Sequence, residues 1–366
     1  MRVCHICSNY DNFFINLMEK QISNGIDPRV FYFRAKERGL PEVKSDYVDI
    51  RLNYSNWHRP FFYLKESTVL KDFFELYQKS QFDLIHAHTL FSNGYIAMKA
   101  KDKWGIPYIV AVRNVDINVF FKYRLNLRKL GIEILKQAEK IIFLSSSYKD
   151  FTISKFIPED LKAPFLDKTV VLPNGIDPYF LENKGSYAPS PINKKKLLNI
   201  ITVGHVCKNK NQITVCKAVE KLNKLGIKTI YTVIGGVPEK SALKRILKYP
   251  FVNYIPFLSK EELITEFRKA DIYVMPSLTE TFGLTYAEAM SQGKPVIYTK
   301  GQGFDGQFRE GEVGYSVHYN SYKEISSKIE DILKEYEELS KRCIDRVEKF
   351  NWEEIVQKYL QIYGDL

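Results

Sequence analysis

The chain has 366 residues, 45% of them apolar and 27% charged, with a formal net charge of +11. That length suits two domains, and the composition excludes a disordered chain. No apolar run approaches the roughly 20 residues of a membrane-spanning helix.

The apolar start, residues 1–7, is short and is followed at once by Asn9, Asp11 and Asn12. It does not read as a signal peptide, so a cytoplasmic protein is expected. The five cysteines are scattered and give no disulfide framework. Cys4 and Cys7 form a CxxC inside an apolar run, which reads as buried strand cysteines rather than a redox pair. The positive excess is spread along the chain with no basic tail, so nucleic acid is not expected as a partner. A phosphate-rich substrate or an anionic membrane surface accounts for the charge equally well.

In chain order, Arg2–Cys7 reads as a strand, and Phe14, Leu17, Met18 and Ile22 recur at helical spacing until Gly25. Residues 29–33 and 47–50 read as strands, 61–78 as a helix, 83–87 as a strand, Ser92–Trp104 as a helix and Tyr108–Val112 as a strand. A helix is predicted over 124–138, with strands at 141–144 and 169–172. Strands alternating with helices imply βαβ units and a parallel sheet covered on both faces. The polar, turn-rich stretch 185–196 reads as the start of a linker. The alternation then restarts, with strands at 199–203, Thr229–Ile234, 272–275 and 295–299. The helices between them fall at 211–225, from 239, at 259–269 and at 284–292. Finally Trp352, Ile355, Val356, Tyr359, Leu360 and Tyr363 form an apolar helical stripe, with Asn351 as N-cap and Glu354 completing a capping box.

The segment of sharpest chemistry is 276–295, PSLTETFGLTYAEAMSQGKP, which follows a strand. Ligands bind at that edge of open α/β sheets. Gly283 opens a helix, whose free N–H groups attract phosphate. Glu280 and Glu288 lie before and within that helix, and acceptor-only carboxylates suit sugar and ribose hydroxyls. By spacing alone, Glu288 reads equally as a surface charge and Glu280 as a partner of the helix dipole.

Context decides between these. Glu280-x7-Glu288 within ETFGLTYAEAM, preceded by DIYVMPS, resembles the donor-site motif of glycosyltransferase family 4, of the GT-B fold. LPNGID at 172–177, VGHVCKNKN at 203–211, VIGG at 233–236 and NW at 351–352 resemble other family segments, so the likeness covers nearly the whole chain. It implies an α/β GT-B architecture: two doubly wound Rossmann-like domains facing across a cleft. Domain one spans 1–184 and binds acceptor, domain two spans 185–350 and binds the nucleotide sugar, and the helix 351–366 crosses back. It also implies transfer of a sugar, with retained stereochemistry, from a UDP- or GDP-linked donor to a glycan or lipid-linked glycan of surface polysaccharide synthesis. Glu280 would contact the donor sugar and Glu288 the ribose. The backbone around Thr281, Phe282, Gly283 and Leu284, together with Gly204, would hold the diphosphate, and Lys210 would bind phosphate. No cofactor or metal is implied, and the residues show no DxD motif. The sequence departs from the family at His205, where an arginine is usual, at Arg113, where a histidine is common, and in 8–12, which lacks the glycine pair. His205 is grouped with Glu280 and Lys210 as a catalytic candidate.

In the N-terminal half, Asn9, His88, Arg113 and Asn114 are candidates for an acceptor cleft, since each follows a strand. His86 reads as a core histidine before an active-site group, while His88 reads equally as either. Residues 120–129 interleave Phe120, Phe121, Tyr123 and Leu125 with Lys122, Arg124, Arg128 and Lys129. A helix covering the sheet explains that pattern, and so does a membrane-facing patch, with Trp57, His58, Arg59, Phe61 and Phe62 as a second one. The competing functions are a non-catalytic nucleotide-sugar sensor, a GT-B epimerase or a phosphorylase. A Rossmann dehydrogenase is disfavoured because no GxGxxG follows the first strand.

Overall fold

The computed structural model describes residues 1–43, 45–187 and 197–366. The expected linker at 185–196 therefore lies outside the described residues from 188 onward. Two compact units emerge: Met1–Leu144 with Lys149–Leu172 and Trp352–Leu366, and Ser145–Tyr148 with Pro173–Asn351. The chain thus leaves the first unit at Leu172, ahead of the expected boundary at 184, and the final helix belongs to the first unit.

The first unit is built on seven parallel strands: β1 Arg2–Cys7, β2 Asp27–Ala35, β3 Val48–Tyr54, β4 Leu84–Ala87, β5 Tyr108–Val112, β6 Lys140–Phe143 and β7 Thr169–Val171. Their order is β3-β2-β1-β4-β5-β6-β7. The central strands β4 and β5 are buried at every position, as parallel strands covered by helices on both faces are. One face carries Val3, Leu84, Ile109 and Ile142, packed under Leu17 and Met18 of the helix Asn12–Ser23 and under Trp352, Ile355, Val356 and Tyr359 of the last helix. That stripe, expected to need a surface, finds it here. Cys4 and Cys7 are buried in β1, and burial raises both thiol pKa values well above normal.

The second unit repeats the scheme with β8 Leu198–Val203, β9 Thr229–Ile234, β10 Val252–Ile255, β11 Ile272–Val274, β12 Val296–Thr299 and β13 Gly314–Val317. The order is β10-β9-β8-β11-β12-β13, again parallel. Both units are doubly wound and Rossmann-like. In each, strand order reverses beside the first strand, between β1 and β4 and between β8 and β11. Such a switch point leaves a crevice at the strands' carboxyl ends. Among the described residues, no helix is long and apolar enough to cross a membrane.

Candidate active site

The switch point of the second unit holds a cavity of about 460 Å³, within the range usual for ligand sites. Its walls come from the ends of β8 (Val203, Gly204, His205) and β9 (Ile234, Gly235, Gly236) and from the loop and helix start that follow β11 (Glu280 to Thr285). Lys210, Asn174, Phe257, Leu258 and Leu263 complete it. The candidates Gly204, His205, Lys210, Glu280, Thr281, Phe282, Gly283 and Leu284 are therefore brought together. Glu288 lies one turn further along the helix Leu284–Ser291.

Two glycines shape the cavity. Gly283 precedes the helix with φ 79° and ψ 68°, and a Cβ there would stand 2.4 Å from the buried ring of Tyr286. Gly235 has φ 138°, and a Cβ there would meet the Gly204 carbonyl oxygen at 2.5 Å. The two loops can approach so closely only because side chains are missing. The helix start is pinned from below: Thr285 and the buried Tyr273 hydroxyl are 2.6 Å apart, and Tyr273 donates to the Val203 carbonyl at 3.1 Å. The opening N–H groups of a helix have no intrahelical partner, so an anion-binding end faces the cavity.

Lys210 Nζ donates to Glu280 Oε2 at 2.5 Å, and both side chains are mostly buried. The two groups expected to meet phosphate and sugar thus form an ion pair. Their placement depends on residues that sequence reasoning missed. Asn209 grips the loop before Glu280, donating to the Thr279 carbonyl and accepting from its N–H and hydroxyl. Asn211, at φ 58°, donates to the Pro276 carbonyl at 3.0 Å. Gln302 accepts from the Glu280 N–H at 2.9 Å, and Gly303 N–H donates to the Glu280 carbonyl at 2.9 Å. The signal available was the alternation KNKN, in which two asparagines, tolerant of left-handed backbone and able to bond it, flank the lysine. His205 is exposed at the rim, and its carbonyl accepts from Gln212.

Glu288 retains some surface, yet protein encloses its carboxyl enough that burial pushes its pKa up to about 7. The Asp177 carboxylate acts in the same sense and Lys260 against it. Asp177 is itself paired with Lys260.

The first-unit candidates also fall at strand ends. Asn9 is exposed after β1 and donates to Asp11 at 2.8 Å. Arg113, after β5, is half-buried; its Nε donates to the His88 carbonyl at 3.3 Å and burial lowers its pKa. Asn114 accepts from Asn118 at 2.8 Å. His88 is 2% exposed, so it is a core group of this unit and lines no open surface there. Its Nε2 pairs with His5 Nδ1 at 3.0 Å, and its ring stacks on His86 at 4.0 Å. His86 in turn bonds the Tyr363 hydroxyl at 2.8 Å, as a core histidine should. His5, His86 and His88 have ligand nitrogens within 4.8 Å of one another, an arrangement their sequence separation concealed. His5 and His88 spend one nitrogen each on their mutual bond, and His5 Nε2, His86 Nε2 and His88 Nδ1 stay buried without a hydrogen-bond partner among the described residues. Burial and the Arg113 cation both disfavour a charged ring there.

Two family profiles divide this chain between them. "Glycosyltransferase Family 4" matches residues 11–180 and "Glycosyl transferases group 1" matches 187–350. The chain belongs to glycosyltransferase family 4. An uncharacterized glycosyltransferase of Methanocaldococcus jannaschii is 25% identical over 292 residues, covering 78% of this chain and 76% of that relative. The alpha-monoglucosyldiacylglycerol synthase of Acholeplasma laidlawii is 24% identical, covering 68% and 66%. Among solved structures, Anabaena HepE, in complex with UDP and glucose, superposes with a TM-score of 0.68 at 16% identity over 100% of both chains. That likeness supports the GT-B fold. This family 4 enzyme is a hexosyl-type glycosyltransferase, and its second unit holds the conspicuous cavity.

Proposed function

We propose that the enzyme takes a UDP- or GDP-linked sugar into the second-unit cavity and transfers the sugar, with retention, to a glycan or lipid-linked glycan. The observation that supports this most is the Lys210–Glu280 pair beside a free helix start at the switch point. An incoming diphosphate would draw the Lys210 ammonium away from Glu280, and the released carboxylate would accept from donor-sugar hydroxyls. The helix start, Lys210 and His205 would stabilise the charge that develops on the departing nucleoside diphosphate. This scheme asks for no metal or cofactor. Glu288 would accept from the ribose.

Two relatives favour this reading: HepE binds UDP, and the Acholeplasma synthase is named for a glycolipid product. The role proposed is surface polysaccharide synthesis in the cytoplasm, peripheral at the inner membrane face. A thermal-shift panel of UDP-, GDP- and ADP-sugars tests the donor. A true donor at a hundredfold over Kd should stabilise by about 2.7 kcal/mol, and labelled sugar should then pass to acceptor. No shift with any of the three overturns the assignment.

A further inference from the structure

We infer that the two aromatic–basic stretches of the first unit form one surface that docks on an anionic lipid bilayer. This deepens the peripheral location proposed above and rests on it. In sequence the stretches lie some sixty residues apart and read as separate patches. In the fold, Arg124 Nη2 donates to the Pro60 carbonyl at 2.7 Å and reaches the Arg59 carbonyl at 3.4 Å. Beneath them the rings of Phe62 and Phe120 meet edge-on at 6.1 Å, and Pro60, Phe61 and Leu64 share a groove with Arg124, Asn126 and Leu127.

The joined surface displays side chains that soluble proteins usually cover. Trp57 is 61% exposed, Phe61 59%, Tyr123 67% and Leu125 63%; Tyr63, Leu64 and Val119 are also exposed. Local backbone explains the exposure. Residues 116–121 form a π-helix and Leu125–Leu127 a 3-10 turn, so the chain turns Phe121 and Leu127 inward while Tyr123 and Leu125 project. Among the projecting groups stand the exposed cations Arg59, Lys122 and Lys129. Segments 55–65 and 117–132 contain no Asp or Glu; Glu37 at the edge accepts from the Asn56 N–H. Separate aromatic tips set among cations suit a headgroup layer, where Trp and Tyr sit at the interface and Lys and Arg meet lipid phosphate.

The test uses the whole protein and vesicles of phosphatidylcholine alone or mixed with phosphatidylglycerol. Of the three tryptophans, Trp104 and Trp352 are buried, so a change in emission reports on Trp57. We expect sedimentation with the anionic vesicles only, a blue shift of that emission, and release by high salt. Arg59→Gln/Lys122→Gln/Lys129→Gln should lower vesicle partition at least about tenfold, given that each cation near such a surface contributes separately. Phe61→Ser/Tyr123→Ser/Leu125→Ser should abolish the blue shift, with unchanged melting and UDP binding in both variants. Absence of sedimentation with anionic vesicles overturns the peripheral location together with the patch. Sedimentation that both variants retain overturns the patch alone. Self-association that the variants abolish, without vesicle binding, would make the surface an interface between copies of this chain. Failure to bind UDP is a separate result that bears on the donor cavity.

Discussion

Lys210 is the residue whose loss should matter most to turnover. It pairs with Glu280 and is proposed to meet the donor phosphates during reaction. Lys210→Ala should lower the transfer rate about 100-fold or more, the usual effect of removing one charge-stabilising group. His205→Arg should be tolerated, since His205 is exposed at the rim and a guanidinium fork suits a diphosphate. A folded but inactive His205→Arg protein would give the imidazole a role of its own. Glu288 makes a pH prediction. Burial raises its pKa to about 7, so the carboxylate that can accept from ribose is populated only as pH rises through that value. Nucleotide affinity measured by calorimetry should therefore increase between pH 6 and 8, and Glu288→Gln should lose that part of the increase. The nucleotide's own titration is common to both proteins and cancels in the comparison. Identical pH profiles would show that Glu288 does not titrate at the ligand.

At the level of elements, Gly283 governs how the helix Leu284–Ser291 begins. Gly283→Ala forces a Cβ to within 2.4 Å of the Tyr286 ring, in backbone that disfavours any side chain. Tyr286 is 1% exposed and cannot move aside. Melting temperature and donor affinity should both fall, whereas Gly301→Ala, at φ 74° with nothing within 4 Å, should show only the backbone penalty. Equal effects in the two variants would mean that the contact with Tyr286 is unimportant. The elements most legible in the sequence were the buried ones. The helix Ser92–Trp104 and strands β1, β5 and β9 appear with the predicted bounds, because a strand buried on both faces is a bare apolar run. Strands β10 and β13 were missed: each is a four-residue edge strand with half-buried positions and little pattern to read. The helix expected over 124–138 begins only at Arg128, because the preceding aromatics belong to the π-helical and 3-10 turns. Glu280 and Glu288 were legible through a local motif, whereas Asn209 and Gln302 act through bonds spanning 70 and 22 residues, which spacing cannot reveal.

Across the whole molecule, each unit has its own sheet and core, and the two respond to different variables. The first unit contains three enclosed imidazoles. Burial lowers the His5 pKa to about 3 and those of His86 and His88 well below normal. Unfolded histidines take up protons below about pH 6.5, so the unfolded state gains protons that the native rings refuse. Stability should be full above pH 6.5 and decline on acidification toward the folded pKa, by about 1.4 kcal/mol per pH unit for each ring. His86→Gln should flatten the fall in melting temperature between pH 6.5 and 4; an unchanged slope would show that the rings are not buried neutral. The second unit contains the cavity proposed to take the donor. Its assignment divides the work between two carboxylates: Glu288 on the nucleotide, Glu280 on the sugar. Titration calorimetry with free UDP and GDP, on the native protein and on Glu288→Ala and Glu280→Ala, measures that division directly. The account predicts that one of these nucleotides binds, that Glu288→Ala weakens it, and that Glu280→Ala spares it while abolishing transfer. Equal losses in both variants, or no nucleotide binding by the native protein, would contradict it.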